Sequence, residues 1–154
     1  MSITAWRIFK PKHAAMAFTG AGAREFGGRW NGKGTAIVYT AGSASLAALE
    51  ILVHVGSHEL LEAYQLCEIT LEDALVEKLD GAKLPGNWQS EPAPAELKQI
   101  GDTWASSNSS AALRVPSAVV ETEFNYLLNP SHPDFARIRI GAFRPFRFDP
   151  RLIR

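Results

Sequence analysis

The sequence predicts a mixed α/β single domain. Three observations carry that prediction: short runs of alternating or β-branched apolar residues, one strongly apolar helical pattern, and no repeat or linker that divides the chain. At 154 residues the chain is long enough to bury one sizeable core. Its 46% hydrophobic and 21% charged content is that of a folded protein and argues against disorder.

Ile3–Phe9 alternates as a strand requires, with Ile3, Ala5, Arg7 and Phe9 on one face and Thr4, Trp6 and Ile8 on the other. Arg7 therefore shares a face with apolar neighbours. Gly20, Gly22, Gly27, Gly28, Gly32 and Gly34 make up half of the chain's 12 glycines, so the backbone there turns tightly or is closely approached. Thr35–Thr40 reads as a buried strand. Ser43 or Ser45 caps a helix running to about Val55, and Gly56 stops it. Tyr64–Thr70 is another strand. Gly86–Ala95, preceded by Pro85 and containing Pro92 and Pro94, is a loop, and Glu96–Ser106 a short helix. Leu113–Val120 reads as a strand interrupted by Pro116, which predicts a sheet edge or a bulge. Asn129-Pro130 and His132-Pro133 mark a turn before a last strand around Arg137–Ile140.

Bulk properties narrow the function. Sixteen basic and sixteen acidic residues cancel, whereas a nucleic-acid binder usually carries a basic surplus for phosphate contact. Balanced charge also offers little resistance to self-association, and a homo-oligomer or a stable complex is expected. No apolar run approaches the ~20 residues of a membrane span. Lys10, Pro11 and Lys12 fall where the apolar stretch of a secretory signal belongs, so a cytoplasmic home is expected. The lone Cys67 excludes an intramolecular disulfide and a cysteine-based zinc site. The four histidines show no metal spacing, and no metal is expected.

Gly27-Gly28-Arg29-Trp30-Asn31-Gly32-Lys33-Gly34 comes close to a phosphate loop but ends in Gly34 where a hydroxyl must hold magnesium. A strand pattern follows it, not a helix whose N-terminus receives phosphates. The segment still suits a flat, anionic ligand: Arg29 offers a fork for phosphate or carboxylate and Trp30 a stacking face. The alternative is a surface loop with a tethering arginine and a half-buried tryptophan.

Glu50 is the odd residue in Leu46-Ala47-Ala48-Leu49-Glu50-Ile51-Leu52-Val53-His54-Val55. A helix so apolar on nearly every side is expected to be largely buried. A carboxylate in it is costly unless paired. Either Glu50 forms a structural pair with His54, one turn on, or with an arginine, or it faces a cleft as a catalytic carboxylate. Tyr39 ends the strand leading into this helix and by itself reads as a core tyrosine. Ser117 and Asn125 flank a second lip, and Ser117 lacks the G-x-S-x-G setting of a hydrolase elbow.

Taken in order, these segments resemble the RES domain. The resemblance rests on Trp6-Arg7-Ile8, Gly28-Arg29-Trp30-Asn31, Val38-Tyr39 with Leu49-Glu50-Ile51-Leu52-Val53-His54, Val115-Pro116-Ser117-Ala118, Asn125-Tyr126-Leu127-Leu128-Asn129-Pro130, and Phe148-Asp149-Pro150-Arg151-Leu152. It spans residues 1–154 as one domain, although Leu71–Ala112 carries no family signal. It implies a fold similar to diphtheria-toxin-like ADP-ribosyltransferases and a toxin role beside a helix-turn-helix antitoxin of the Xre type. It also implies NAD as substrate, consumed by hydrolysis, by phosphorolysis or by transfer of ADP-ribose to a protein. By motif, the family arginine falls on Arg29, the tyrosine on Tyr39, the glutamate on Glu50 and the serine on Ser117; Arg7 matches a further recurrent position.

The assignment is chemically coherent. Cleaving the nicotinamide–ribose bond builds positive charge on the sugar, as glycoside cleavage does, and a fixed carboxylate stabilises it. Glu50 takes that part, Tyr39 stacks on nicotinamide, and Arg29 or Arg7 holds the pyrophosphate. A ribonuclease toxin fits the neutral charge poorly, and a pure binding module leaves Glu50 unexplained.

Overall fold

A computed structural model describes residues 1–153. One seven-stranded sheet runs through the molecule in the order β4-β5-β6-β2-β1-β3-β7. The strands are β1 (Ser2–Phe9), β2 (Val38–Ala41), β3 (Tyr64–Glu72), β4 (Val76–Lys78), β5 (Ala112–Pro116), β6 (Phe124–Leu128) and β7 (Arg139–Phe146). Only the β4–β5 pair is parallel. The helices are α1 (Ala21–Phe26), α2 (Ala44–Leu52), α3 (Ser57–Leu60) and α4 (Ala95–Ser107), with short 3-10 turns between strands. The expected mixed α/β single domain is the fold observed.

The period-2 pattern of β1 is realised on both faces. Ala5 and Phe9 pack with Val38, Cys67, Ile69, Tyr126 and Leu128 on one side of the sheet. The other side carries two separate clusters. Ile8, Leu46, Leu60, Tyr64 and Leu66 form one beneath α2 and α3. Trp30, Leu97, Trp104, Leu113, Val115 and Leu127 form the other beneath α4. Burying such apolar clusters is the main favourable contribution to folding. The space between the two clusters is a cleft.

The sheet itself opens at that place. β1 pairs in full register with β3, from Ser2–Glu72 to Phe9–Gln65. With β2 it shares only the Trp6–Ala41 pair. β2 instead pairs along its length with β6, setting Tyr39 opposite Leu127 and Ala41 opposite Asn125. Alternation along a strand then puts Tyr39, Ala41 and Asn125 on the cleft side.

Several elements differ from expectation for identifiable reasons. The strand expected over Leu113–Val120 stops at Pro116, and β5 lies between β4 and β6, so Pro116 marks its end and not an edge or bulge. There the Ser117 hydroxyl accepts the N–H groups of Val119 and Val120, a local turn that competes with a continued strand. The helix expected to reach Val55 ends at Leu52, capped at its start by Ser43, which accepts the Leu46 N–H at 3.0 Å. That helix is not largely buried: only Leu46 and Ala47 are, while Leu49 and Val53 are exposed. One side of α2 rests on β1 and β2, and nothing among the described residues covers the opposite side. The last strand runs longer than expected, to Phe146.

Candidate active site

A cavity of about 640 Å³ occupies the cleft, and Arg7, Arg29, Trp30, Tyr39, Glu50 and Asn125 all line it. That volume is of the size small-molecule sites use. The structure therefore gathers on one cavity residues that lie up to 118 positions apart in the chain (Asn125 less Arg7).

Glu50 projects from α2 and is half-buried. Its Oε2 accepts two hydrogen bonds, from the Ser117 hydroxyl at 2.9 Å and from Asn125 Nδ2 at 2.7 Å. Ser117 is fully buried and does not line the cavity; it touches the site only through Glu50. The turn N–H groups of Val119 and Val120 orient the Ser117 hydroxyl at 3.1 Å each. Charge-assisted bonds of this kind hold a carboxylate in one rotamer. No bond joins Glu50 to His54 or to an arginine among the described residues, so the structural pairs open to it from sequence do not form.

Arg7 stands at the split seam. It leaves β1 on the face of Ala5 and Phe9, and its guanidinium spans the gap, donating from Nε to the Ala17 carbonyl at 2.8 Å and from Nη1 to the Tyr39 carbonyl at 2.9 Å. Burial lowers its pKa to about 10, with the Cys67 thiol opposing the shift. The cation persists at neutral pH.

Gly28–Asn31 forms a tight turn closed by paired backbone bonds between Gly28 and Asn31. The Tyr39 hydroxyl donates to Asn31 Oδ1 at 2.6 Å and accepts the Trp30 N–H at 3.1 Å. Burial raises the Tyr39 pKa, and the Trp30 N–H partly offsets it, so the phenol is neutral. Asn31 is fully buried and its amide donates to the Ala23, Gly32 and Thr35 carbonyls. Gly28 has no room for a side chain, since a Cβ there lies 2.6 Å from the Tyr39 hydroxyl. The close approach read from the glycine-rich segment is thus an approach by tyrosine.

Two residues of this turn sit differently from expectation. Trp30 is 2% exposed and packs with Leu97, Trp104 and Leu127, so it is a core residue and offers no open stacking face. Arg29 tethers a loop: Nη1 donates to the Trp88 and Ser90 carbonyls at 3.1 and 2.9 Å, and Nη2 pairs with Glu91 at 2.8 Å. The tethering arginine weighed as the alternative is the contact observed, although Arg29 also lines the cavity.

Lys98 and Asp102, one turn apart on α4, carry no expectation from sequence. Lys98 Nζ donates to the Gly28 carbonyl and lines the cavity. Asp102 accepts the Gly32 N–H. Their i, i+4 spacing on the face that buries Leu97 and Gly101 was the available signal. Among the described residues no group of three or more His, Cys, Asp or Glu is placed to hold a metal ion, and no helix is long and apolar enough to cross a membrane.

The fold of this chain matches that of a chain in the crystal structure of the M. tuberculosis MbcT–MbcA toxin–antitoxin complex. The match has a TM-score of 0.77, 20% identity, and covers 99% of this chain and 87% of that one. The sequence is more specific: residues 4–149 match the RES domain model, and the chain belongs to the RES domain family. It is 45% identical over 149 residues to Toxin Res of Yersinia enterocolitica, covering 96% of this chain and 97% of the relative. It is 41% identical over 159 residues to the Prs ADP-ribosylating toxin of a Sphingobium species, covering 100% and 99%. Toxin Res of Photorhabdus laumondii is 38% identical over 150 residues, with 97% and 96% covered.

Proposed function

We propose that this protein is a toxin that cleaves NAD at the nicotinamide–ribose bond, draining the cell of NAD and arresting growth. The observation that carries the reading is Glu50. Both of its protein hydrogen bonds fall on Oε2, and Oε1 takes none among the described residues, in a cavity shaped for a small molecule.

The chemistry asks little more. The C1′–N bond breaks, its electron pair passes to the pyridinium nitrogen, and nicotinamide leaves neutral without an acid. Positive charge left on the ribose is stabilised by the preorganised Glu50 carboxylate. An acceptor oxygen, from water or phosphate, bonds to C1′ and gives up its proton. Tyr39, neutral and fixed by Asn31 and Trp30, supplies a rigid wall against nicotinamide. Arg7 and Arg29 are the cations for the pyrophosphate. Glu91 on Arg29 is 74% exposed on its side chain, so that ion pair is weakly held and exchanges for a phosphate at small cost. Trp30 supports the turn that presents Arg29, and Ser117 positions Glu50.

A second reading keeps the site and changes the acceptor. The 41% identical Sphingobium relative is named an ADP-ribosylating toxin, which favours a protein side chain as an acceptor for the same oxocarbenium centre. Likeness to a toxin–antitoxin structure supports an antitoxin partner, which we assign to the Xre type, acting with a toxin oligomer in the cytoplasm. One experiment tests both readings: pure protein with NAD, followed for free nicotinamide with and without phosphate, and with a labelled adenosine to catch modified protein. No nicotinamide release under any condition overturns the NAD reading. Release with label on protein selects transfer.

A further inference from the structure

Asn125 carries an unfilled acceptor. Its Oδ1 is buried without a hydrogen-bond partner, while Nδ2 donates to Glu50 Oε2 at 2.7 Å. That short bond fixes the amide's orientation, because exchanging the two atoms sets oxygen against a carboxylate oxygen. Buried acceptors are nearly always satisfied, and exceptions call for an explanation. Gln65 Oε1 is the other such atom, but Gln65 does not line the cavity. Asn125 does, beside Glu50 and on the pleat position opposite Ala41.

We infer that Asn125 is a second substrate-recognition residue, its Oδ1 accepting from the ribose hydroxyl next to the one that Glu50 takes. The inference rests on the NAD reading above. The Nδ2–Oε2 bond joins the two side chains into one unit, oriented from behind by Ser117. What that unit still offers is two unpartnered acceptors, Glu50 Oε1 and Asn125 Oδ1, beside the second N–H of Asn125 Nδ2. A ligand that satisfies both brings two neighbouring donors, and the cis-diol of a ribose is such a group. A site built this way rejects an analogue lacking the hydroxyl, because the buried oxygen is then left unpaired. Asn125 thus sets specificity for an intact nicotinamide ribose while also positioning the carboxylate.

The test compares NAD with two analogues that lack the 2′ or the 3′ hydroxyl of the nicotinamide ribose. Nicotinamide release gives kcat/KM for the parent and for Asn125→Ala. The parent is expected to reject each analogue by about tenfold or more. Asn125→Ala is expected to lose discrimination at one hydroxyl and keep it at the other, the one read by Glu50. Asn125→Leu, near in size, replaces the alanine variant if that one does not fold. Asn125→Asp keeps an acceptor but sets a second carboxylate against Glu50, so it retains both discriminations while its activity shifts toward acid pH, where the two share a proton. Unchanged discrimination in Asn125→Ala or Asn125→Leu overturns the inference alone. A parent protein that releases no nicotinamide overturns the NAD reading and this inference with it.

Discussion

Ser117 and Glu50, 67 positions apart, meet at 2.9 Å, hydroxyl to carboxylate, in the wall of the cleft. The serine is sealed from the cavity and the glutamate faces it. One residue acts and the other aims it, a division that local sequence around either does not reveal.

Glu50→Gln is expected to fold and to lose NAD cleavage by roughly 10²–10³, the usual cost of removing one preorganised transition-state contact. The amide retains an oxygen for Ser117 and Asn125, so the loss comes from the charge. Single-turnover nicotinamide release beside a thermal melt separates the two effects. Parent-like turnover by a folded variant removes Glu50 from the reaction.

Ser117→Ala deletes the bond to Glu50 and leaves the N–H groups of Val119 and Val120 without their acceptor. A stability loss of about 1–3 kcal/mol follows for donors left unpaired. Turnover is expected to fall about tenfold, with KM for NAD nearly unchanged, because the serine touches no substrate. A large rise in KM at constant kcat contradicts a purely positioning role.

Arg29 joins the Gly28–Asn31 turn to the segment Trp88–Glu91 by three polar contacts. Arg29→Ala is expected to release that segment, read as faster hydrogen exchange across residues 88–91, and to raise KM for NAD. Arg29→Lys recovers only part, since a point charge cannot replace the guanidinium fork. Glu91→Gln frees Nη2 while leaving both carbonyl contacts, so it is expected to lower KM. If Glu91→Gln raises KM instead, Arg29 serves the loop and not the pyrophosphate.

Legibility divided along physical lines. β1 and β3 were readable because period-2 alternation is local, and the helix at Glu96 because its apolar residues recur at helical spacing. Glu50 stood out because a lone carboxylate in an apolar helix is costly and so informative. The surroundings of these residues were not readable. Leu49 and Val53 look buried in a one-dimensional pattern, yet α2 has a partner on one side only. Trp30 next to a glycine-rich turn looks available, yet Gly101 on α4 gives its backbone a place to pack, since a Cβ at that position would overlap the Trp30 carbonyl. Arg29 is legible as an anion fork from its own segment, and the family resemblance supplies roles for Tyr39 and Ser117, whereas the contacts of all three depend on segments 8 to 67 residues away.

Arg7 offers a test in which pH pulls two observables apart. At neutral pH the buried guanidinium, with a pKa of about 10, is charged and bridges the Ala17 and Tyr39 carbonyls across the opening between β1 and β2. Arg7→Lys keeps a cation at that place but makes it titratable in a useful range. Lysine ordinarily titrates near 10.4, and comparable burial brings it to about 8. Below that value the variant is charged and still attracts the pyrophosphate; above it the charge is lost, so KM for NAD rises between about pH 7 and 9. Stability rises while affinity for NAD falls. The folded pKa lies below the unfolded one, so between about pH 8 and 10 the unfolded chain binds more protons and folding strengthens as pH rises. The parent, charged in both states between pH 7 and about pH 9, is expected to show neither trend from this residue over that interval. Urea titrations at pH 7 and pH 9, paired with NAD kinetics at the same two values, measure both. A variant whose affinity for NAD and stability change in the same direction between the two pH values rules out a charge on residue 7 as the link between seam and substrate.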